Sequence, residues 1–175
     1  MGHRYTQRKL TTFKKLIKEL KMKKSILSIA ILLMMGISAF AAKDDEADVN
    51  QLAVKSFHRE FVNARNIKWE QKVGYVKVEF TLNDQVLYAY YNNEGENTAI
   101  VRNIVSDQLP ITLLTGLKKD YTGFWISDLF EVAAGDQTNY YVTLENADKK
   151  IVLRSTGIEG WDVYSKSRKN AEQVK

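Results

Sequence analysis

The stretch from Tyr75 to Tyr91 constrains the fold more than any other part of the sequence, because apolar and polar side chains alternate on both sides of a turn signal. Strict alternation is typical of a β-strand with one buried face. Asn83-Asp84 is a two-residue turn of the kind that joins two antiparallel strands. Such a turn also determines which residues face each other across the hairpin. The sequence therefore predicts an antiparallel sheet.

The predicted hairpin has one apolar face and one mixed face. Pairing Leu82 with Gln85 places Val76, Val78, Phe80, Leu87, Ala89 and Tyr91 together on the first face. The second face carries Tyr75, Lys77, Glu79, Thr81, Val86, Tyr88 and Tyr90. We expect the first face to lie in the core and the second face to be open to solvent.

Helical and strand patterns alternate along the rest of the chain. Apolar spacings of three to five predict a helix from Val49 to about Ala64, and a second helix has Pro110 in its first turn and ends near Tyr121. Strands are predicted at 67–70, 75–82, 85–91 and 97–105, and again at 124–133, 140–145, 149–155 and 161–165. This order predicts an α+β fold, with both helices packed on one face of an antiparallel sheet. We interpret it as a tandem αββββ repeat within one domain, 49–165, whose halves are 49–105 and 106–165; the polar tail, 166–175, is expected to fray.

The N-terminal region has the three parts of a secretory signal peptide. Met22 to Lys24 is a short basic segment, Ser25 to Gly36 is apolar, and Ala39 to Ala41 has the small residues that a signal peptidase accepts. We expect cleavage after Ala41, with Met1–Lys21 as an upstream extension of a protein that begins at Met22. The apolar run is short for a membrane span. The processed protein is therefore expected to be periplasmic or secreted without stable membrane insertion, and to begin with a flexible charged lead-in at 42–48.

Charge and composition exclude several functional classes. Of the 26 Lys and Arg residues, nine lie in residues 1–41 beside one acid, which leaves 17 bases against 20 acids in residues 42–175. The basic leader thus accounts for the high pI, and nucleic acid is not an expected partner. With no cysteine and only His58 after the leader, the sequence offers neither the ligands of a zinc site nor a nucleophilic triad. We predict no catalytic residues, no metal and no cofactor.

Two alternatives to a protein-binding function remain open. Asp128 with Glu131, and Glu94 with Glu96, are carboxylate pairs of the kind used in glycoside hydrolysis or calcium binding. A small-ligand carrier is the other alternative, with a pocket between sheet and helices lined by Trp69, Phe80 and Trp125.

Tyrosines on the mixed face indicate a protein-binding surface. Tyrosine offers a large, rigid contact area with a polar end. The same strand phase in the second half would expose Tyr141, Thr143 and Glu145. We therefore predict that another exported protein binds to Tyr75, Lys77, Glu79, Tyr88, Tyr90 and Tyr141. Tyrosine also stabilises half-exposed sheets by itself, which is the simpler interpretation of any single one.

Several motifs resemble one family of secreted bacterial proteins, the PepSY-like, β-lactamase-inhibitor-protein-like (BLIP-like) family. They lie at Asn66–Glu70, Gly74–Phe80, Tyr90–Gly95, Leu109-Pro110 and Tyr121–Ile126, and the resemblance extends from about Phe57 to Leu153. It implies a tandem helix-plus-sheet architecture with sheet surfaces free for protein contact and no known enzymatic activity. The contact loops of the inhibitor are not recognisable here. We therefore expect an exported binding module, a candidate inhibitor or regulator of a secreted hydrolase or peptidase.

Overall fold

The computed structural model describes residues 45–169. The predicted signal peptide with its upstream extension, the first residues of the lead-in and the tail from residue 170 lie outside this range. The described helices and strands are α1 (Gln51–Glu60), β1 (Arg65–Lys72), β2 (Tyr75–Leu82), β3 (Gln85–Asn92), β4 (Asn97–Asn103), α2 (Ile111–Asp120), β5 (Trp125–Ala134), β6 (Gln137–Glu145), β7 (Lys149–Thr156) and β8 (Asp162–Arg168).

All eight described strands form one antiparallel sheet in which each strand pairs with the next along the chain. The register of β2 and β3 is the predicted one: Leu82 faces Gln85, and Phe80 faces Leu87. Asn83 and Asp84 have φ values of 50° and 61°, which is the left-handed backbone that a tight hairpin turn requires. The predicted α+β class and antiparallel sheet are confirmed.

Helix α1 covers the first strands of the sheet. The Asn50 side chain caps it by accepting hydrogen bonds from the backbone N–H groups of Leu52 (2.8 Å) and Ala53 (3.4 Å). Its apolar residues then pack on the predicted core face of β1–β3 in a cluster that includes Ala53, Val54, Phe57, Trp69, Val76, Val78, Phe80, Ala89 and Tyr91. Phe57 is fully buried, and burying such a side chain stabilises the fold by about 1.5–3 kcal/mol.

Helix α2 packs on β5–β7 in a second cluster, which includes Leu113, Leu117, Leu129, Val142, Leu144, Ile151 and Leu153. The cross-strand row Phe80–Leu87–Arg102–Glu131–Tyr140 joins the two clusters, so both helices lie on the same face of the sheet. Between them, the Arg102 guanidinium donates two hydrogen bonds to the Glu131 carboxylate, at 3.0 and 3.1 Å. A helix followed by four strands occurs twice along the chain; its origin in a duplication stays a prediction.

Two end segments are more structured than their polar composition indicated. The predicted fraying from Lys166 is wrong for Lys166–Arg168, because β8 continues to Arg168 and the next backbone N–H, of Lys169, donates to Asp148 O at 2.8 Å. In the described part of the lead-in, Glu46–Asp48 is a single 3-10 turn. The Glu46 carboxylate accepts a hydrogen bond from Trp69 Nε1 at 3.1 Å and lies 3.1 Å from His58 Nε2. A run of charged residues in the sequence does not predict such contacts, because it does not show which distant side chains these residues will bind.

Gly116→Ala should stabilise the protein. Gly116 lies inside α2, where glycine lowers helix stability by roughly 0.5–1 kcal/mol relative to alanine. An added Cβ would lie 3.6 Å from Trp161 Cδ1 and 4.0 Å from Trp161 Nε1, which are ordinary contact distances. We expect the free energy of unfolding to rise by about 0.5–1 kcal/mol in urea denaturation. A fall would mean that Trp161 cannot accept the methyl group.

Candidate protein-binding surface

The sheet face opposite α1 and α2 carries no helix of the described range, and its β1–β3 part presents the charged and aromatic side chains predicted from the hairpin. Lys77 pairs across the strands with Tyr90, Glu79 with Tyr88, and Lys68 of β1 with Glu79. The face assignment from the hairpin register is therefore correct. Six accessible residues of this face are together called the tyrosine surface: Lys68, Glu70, Tyr75, Lys77, Glu79 and Tyr88.

Ion pairs connect β1 and β2 within the tyrosine surface. Lys68 bonds to Glu79, and Glu70 lies between two lysines, 2.7 Å from Lys72 Nζ and 3.4 Å from Lys77 Nζ. Carboxylates therefore alternate with amines across β1 and β2. Exposed pairs of this kind add little stability individually, but they hold long side chains in defined positions.

Neighbouring charges shift the pKa values of two groups in the tyrosine surface. Burial alone would raise the pKa of Glu70, but the Lys72 hydrogen bond and the charges of Lys77 and Lys72 outweigh it and lower the pKa below its ordinary 4.5. The hydrogen bond to Glu79, with its charge, raises the pKa of Lys68. Both groups are thus ionised at neutral pH, and the surface presents fixed charges of both signs.

Tyr75 and Tyr88 provide the aromatic part of the tyrosine surface. Both side chains are half-buried, and Lys77 Nζ lies 5.2 Å from the centre of the Tyr88 ring, within cation–π range. Burial, followed by the charge of Glu70 for Tyr75 and of Glu79 for Tyr88, raises the pKa of each phenol. Both hydroxyls therefore stay protonated at neutral pH and can donate hydrogen bonds to a partner.

Two of the predicted contact residues are not exposed. Tyr90 shows 2% and Tyr141 0% of its surface to solvent, so the prediction that they are accessible is wrong, although each lies on the expected face. The Tyr90 ring packs 6.1 Å from that of Tyr75, and burial raises the Tyr90 pKa. Tyr90 and Tyr141 therefore belong to the buried part of the face.

The second half of this face is a packed aromatic cluster. Tyr141 stacks on Phe130 at 5.1 Å and meets Tyr164 edge-on at 5.8 Å. Thr143 is also buried, at 5% exposure, whereas Glu145 remains partly accessible and pairs with Lys150 and Lys169. The expected exposure of Tyr141 and Thr143 is wrong. For Tyr141 the reason is the pair of rings, Phe130 of β5 and Tyr164 of β8, that cover a position which strand phase placed outward.

Asp128 and Glu131 are not placed to act as a catalytic pair. Asp128 faces Thr143 on the helix-free side of the sheet, whereas Glu131 faces Tyr140 on the helix side and is held by Arg102. Two acids on opposite faces cannot act across one bond. In the β3–β4 turn, Glu96 Oε2 accepts a hydrogen bond from Asn92 Nδ2 at 2.9 Å. Within residues 45–169, no group of three or more His, Asp or Glu side chains is placed to hold a metal ion.

The proposed carrier residues are not brought together either. Trp69 and Phe80 lie in the first core cluster, where Phe57 packs on both rings at 5.2 and 5.0 Å. Trp125 lies on the other face, 53% exposed, with Lys169 Nζ 4.9 Å from its ring centre. These three residues therefore line no common pocket. In the described part of the chain, no helix is long and apolar enough to cross a membrane.

The sequence did not reveal two members of the tyrosine surface, Lys68 and Glu70. The strand at 67–70 was predicted as short and defined by its apolar side chains, whereas β1 runs from Arg65 to Lys72. The signal was present in the alternation of Lys68, Glu70 and Lys72 with Trp69 and Gln71. Because Trp69 points into the core, this alternation places Lys68 and Glu70 on the opposite, open face.

The lowered pKa of Glu70 predicts a pH-dependent contribution to stability. Because the folded-state pKa lies below the unfolded one, the contribution is complete above pH 4.5 and is lost as pH falls through the folded-state value. Wild type should exceed Glu70→Gln in free energy of unfolding by up to about 1 kcal/mol at pH 7. The gap should narrow as pH falls below 4.5 and through the folded-state pKa. Urea denaturation from pH 7 to below pH 4.5 measures this difference in the free energy of unfolding. The control is Glu94→Gln, which removes an acid outside these ion pairs. A difference that does not change with pH would contradict the prediction.

Comparisons with solved structures identify proteins of similar fold. A DUF2874 family protein from Bacteroides ovatus superimposes with a TM-score of 0.61 at 17% identity, over 69% of this chain and 87% of its own. A candidate periplasmic protein from Bacteroides eggerthii gives 0.60 at 12% identity, over 69% and 88%. A BLIP-like protein from Bacteroides fragilis gives 0.59 at 20% identity, over 75% and 97%.

These comparisons support the BLIP-like part of the resemblance as a likeness of fold. No family model matches the chain, and no curated protein matches it by sequence. The PepSY-like part of the resemblance is not tested by them and stays a prediction.

Proposed function

We propose that this protein is an exported, non-enzymatic binding module that captures another exported protein through the tyrosine surface. The observation that carries the proposal is the sheet face opposite α1 and α2, which no helix of residues 45–169 covers. On this face, half-exposed tyrosines lie next to ion-paired side chains. The export signal is a prediction from the sequence. The solved structures of similar fold include one named for the periplasm and one named for likeness to a β-lactamase inhibitor, which is consistent with this assignment.

The chemistry of the tyrosine surface suits protein recognition. Tyr75 and Tyr88 supply rigid contact area and hydroxyl donors. Lys68, Lys77, Glu70 and Glu79 are already held by one another, so a partner needs to order few side chains when it binds. Such a surface selects partners by complementary charge and aromatic contact.

A secreted hydrolase or peptidase is the proposed partner class, with inhibition or regulation as the consequence. This step rests on the family resemblance and on the BLIP-like structural neighbour. If a captured partner is an enzyme, its rate of substrate turnover should fall when the protein is added in molar excess. Unchanged turnover with binding intact would remove the inhibitor function and leave the binding function.

Affinity capture from the cell envelope tests the binding function. The processed protein serves as bait beside Tyr75→Ala/Tyr88→Ala, and captured proteins are identified by mass spectrometry. We expect at least one exported protein to be enriched by wild type and reduced about tenfold or more with the double variant, because interface tyrosines commonly contribute 1–2 kcal/mol each.

Ile111→Ala is the matched control, since Ile111 is an exposed apolar residue (73%) on α2, away from the tyrosine surface. It should retain the partner. Thermal unfolding of all baits separates loss of binding from loss of fold. Equal capture by wild type and the double variant, or no specific capture at all, would contradict the proposal.

A further inference from the structure

The last strand of the sheet, β8, is an open edge. It pairs with β7 and ends the strand order of the described sheet. All of its residues except Tyr164 are exposed, so its outer row of backbone N–H and C=O groups faces solvent. An exposed edge of this kind is a template for pairing with a further strand.

Both ends of β8 are firmly attached to the rest of the domain. Before the strand, Trp161 Nε1 donates to Leu113 O of α2 at 2.9 Å. After it, the Lys169 backbone N–H donates to Asp148 O at 2.8 Å, and its amine lies 2.6 Å from Glu145 and over the Trp125 ring. The edge is therefore held in an extended conformation before any partner arrives, which lowers the entropic cost of adding a strand.

The two cations of β8 lack ion pairs within residues 45–169, unlike the cations of the opposite edge. On β1, Arg65, Lys68 and Lys72 pair with Asp84, Glu79 and Glu70. A register shift between Arg65 and Lys68, with Asn66 at φ 55°, also interrupts that edge. On β8, Lys166 and Arg168 are both exposed, and the ion pairs described next to this strand are made by Lys150 and Lys169 instead. The β7–β8 ladder has a register shift too, between Val152 and Leu153, but pairing is regular from Ser165 to Arg168, where both cations lie. The two edges thus differ in the pairing of their charges.

Lys166 and Arg168 stand on the same side of the sheet. Lys166 faces Ile151 and Arg168 faces Lys149, and Ile151 belongs to the cluster beneath α2. Residues two apart in a strand lie roughly 7 Å apart. A neighbouring strand with acidic side chains at every second position would therefore place one carboxylate beside each cation, while the alternate positions face Ser165 and Ser167.

We propose that β8 binds an extended acidic segment of another protein as a ninth strand of the sheet. Main-chain hydrogen bonds along the free edge supply affinity, and Lys166 and Arg168 select carboxylates at alternate positions. The site is separate from the tyrosine surface, so it does not depend on the function proposed for that surface. Edge lysines also deter unwanted pairing between copies, and the same charges that repel a second basic edge attract an acidic strand.

A designed peptide tests this proposal on the full processed protein. The probe is a capped peptide, as long as β8, in which glutamate alternates with valine; a second peptide has lysine in place of glutamate. We expect the glutamate peptide to bind, to slow hydrogen exchange of β8 backbone amides about tenfold or more, and to weaken about tenfold as salt rises from low to high ionic strength. The lysine peptide should not bind.

Variants locate the site. Lys166→Glu/Arg168→Glu should reduce peptide affinity at least tenfold, whereas Lys118→Glu/Lys119→Glu makes the same charge change on α2 and should leave affinity within about twofold. If the first double variant fails to fold, Lys166→Gln/Arg168→Gln replaces it and should still reduce affinity several-fold.

Three results would overturn the proposal. The first is peptide binding that both double variants affect equally. The second is no protection of β8 amides at millimolar peptide, which would mean that the edge cations only prevent strand pairing and bind no acidic strand. The third is concentration-dependent protection of β8 without peptide, which would identify a second copy of this chain as the occupant.

Discussion

Gly95→Ala should destabilise the protein by about 2–5 kcal/mol, because two effects act at one position. Gly95 has φ of 75°, a conformation that costs an alanine roughly 1–2 kcal/mol. Its added Cβ would also lie 2.6 Å from Leu52 Cβ and 2.7 Å from the Leu52 backbone carbonyl carbon. Relieving that overlap requires the β3–β4 turn to move away from α1, at a further cost of about 1–3 kcal/mol. Urea denaturation of the variant measures the loss.

Gly157→Ala separates the two effects. Gly157 also has positive φ (66°), but no atom lies within 4 Å of the position of an added Cβ. Only the backbone cost should remain, about 1–2 kcal/mol. Equal losses at the two glycines would contradict the close approach of the turn to α1. The Asn50 side chain, which donates to Asn93 O at 2.8 Å, holds the same turn against the start of α1.

Tyr90→Ala should destabilise the protein by about 3–5 kcal/mol, as expected for truncating a buried aromatic side chain. Tyr90 is 2% exposed and packs beside Tyr75. Thermal or urea unfolding of the purified variant measures this loss. Tyr90 is therefore unsuitable for testing partner binding, since loss of capture would follow from loss of fold.

Tyr88→Ala is the matched control on the same strand and the same face. Because Tyr88 is half-buried, its truncation should lower the free energy of unfolding by about 1 kcal/mol. A loss at position 90 no larger than that at 88 would mean that Tyr90 is accessible after all and would return it to the binding surface. The contrast thus decides which tyrosines can serve as contacts.

The sequence predicted correctly on which face of the sheet each of these side chains lies, because the side chains of a strand alternate between the two faces. The Asn83-Asp84 turn determined the register of β2 and β3, and from it the face of each residue between Tyr75 and Tyr91. The same phase placed Tyr141 on the face opposite α2. Alternation assigns a side chain to a face, however, and the face alone does not determine how much of that side chain reaches solvent.

Exposure depends on residues that come from distant strands. Tyr141 is buried against Phe130 of β5 and Tyr164 of β8, and neither contact is visible in the alternation of β6. The partner of Glu46 is similarly distant, since it bonds to Trp69 in β1. The end of β8 was missed for another reason: an edge strand with both faces exposed has no apolar phase to mark it.

Hydrogen exchange on a purified complex with the captured partner tests the central claim most directly. If the tyrosine surface is the contact, peptides covering β1, β2 and β3 should exchange more slowly in the complex, and those covering α1 and α2 should be unchanged. Tyr75→Ala/Tyr88→Ala should abolish this protection under the same conditions. Protection confined to the helices, or protection that survives the double variant, would contradict the account and assign binding to another surface.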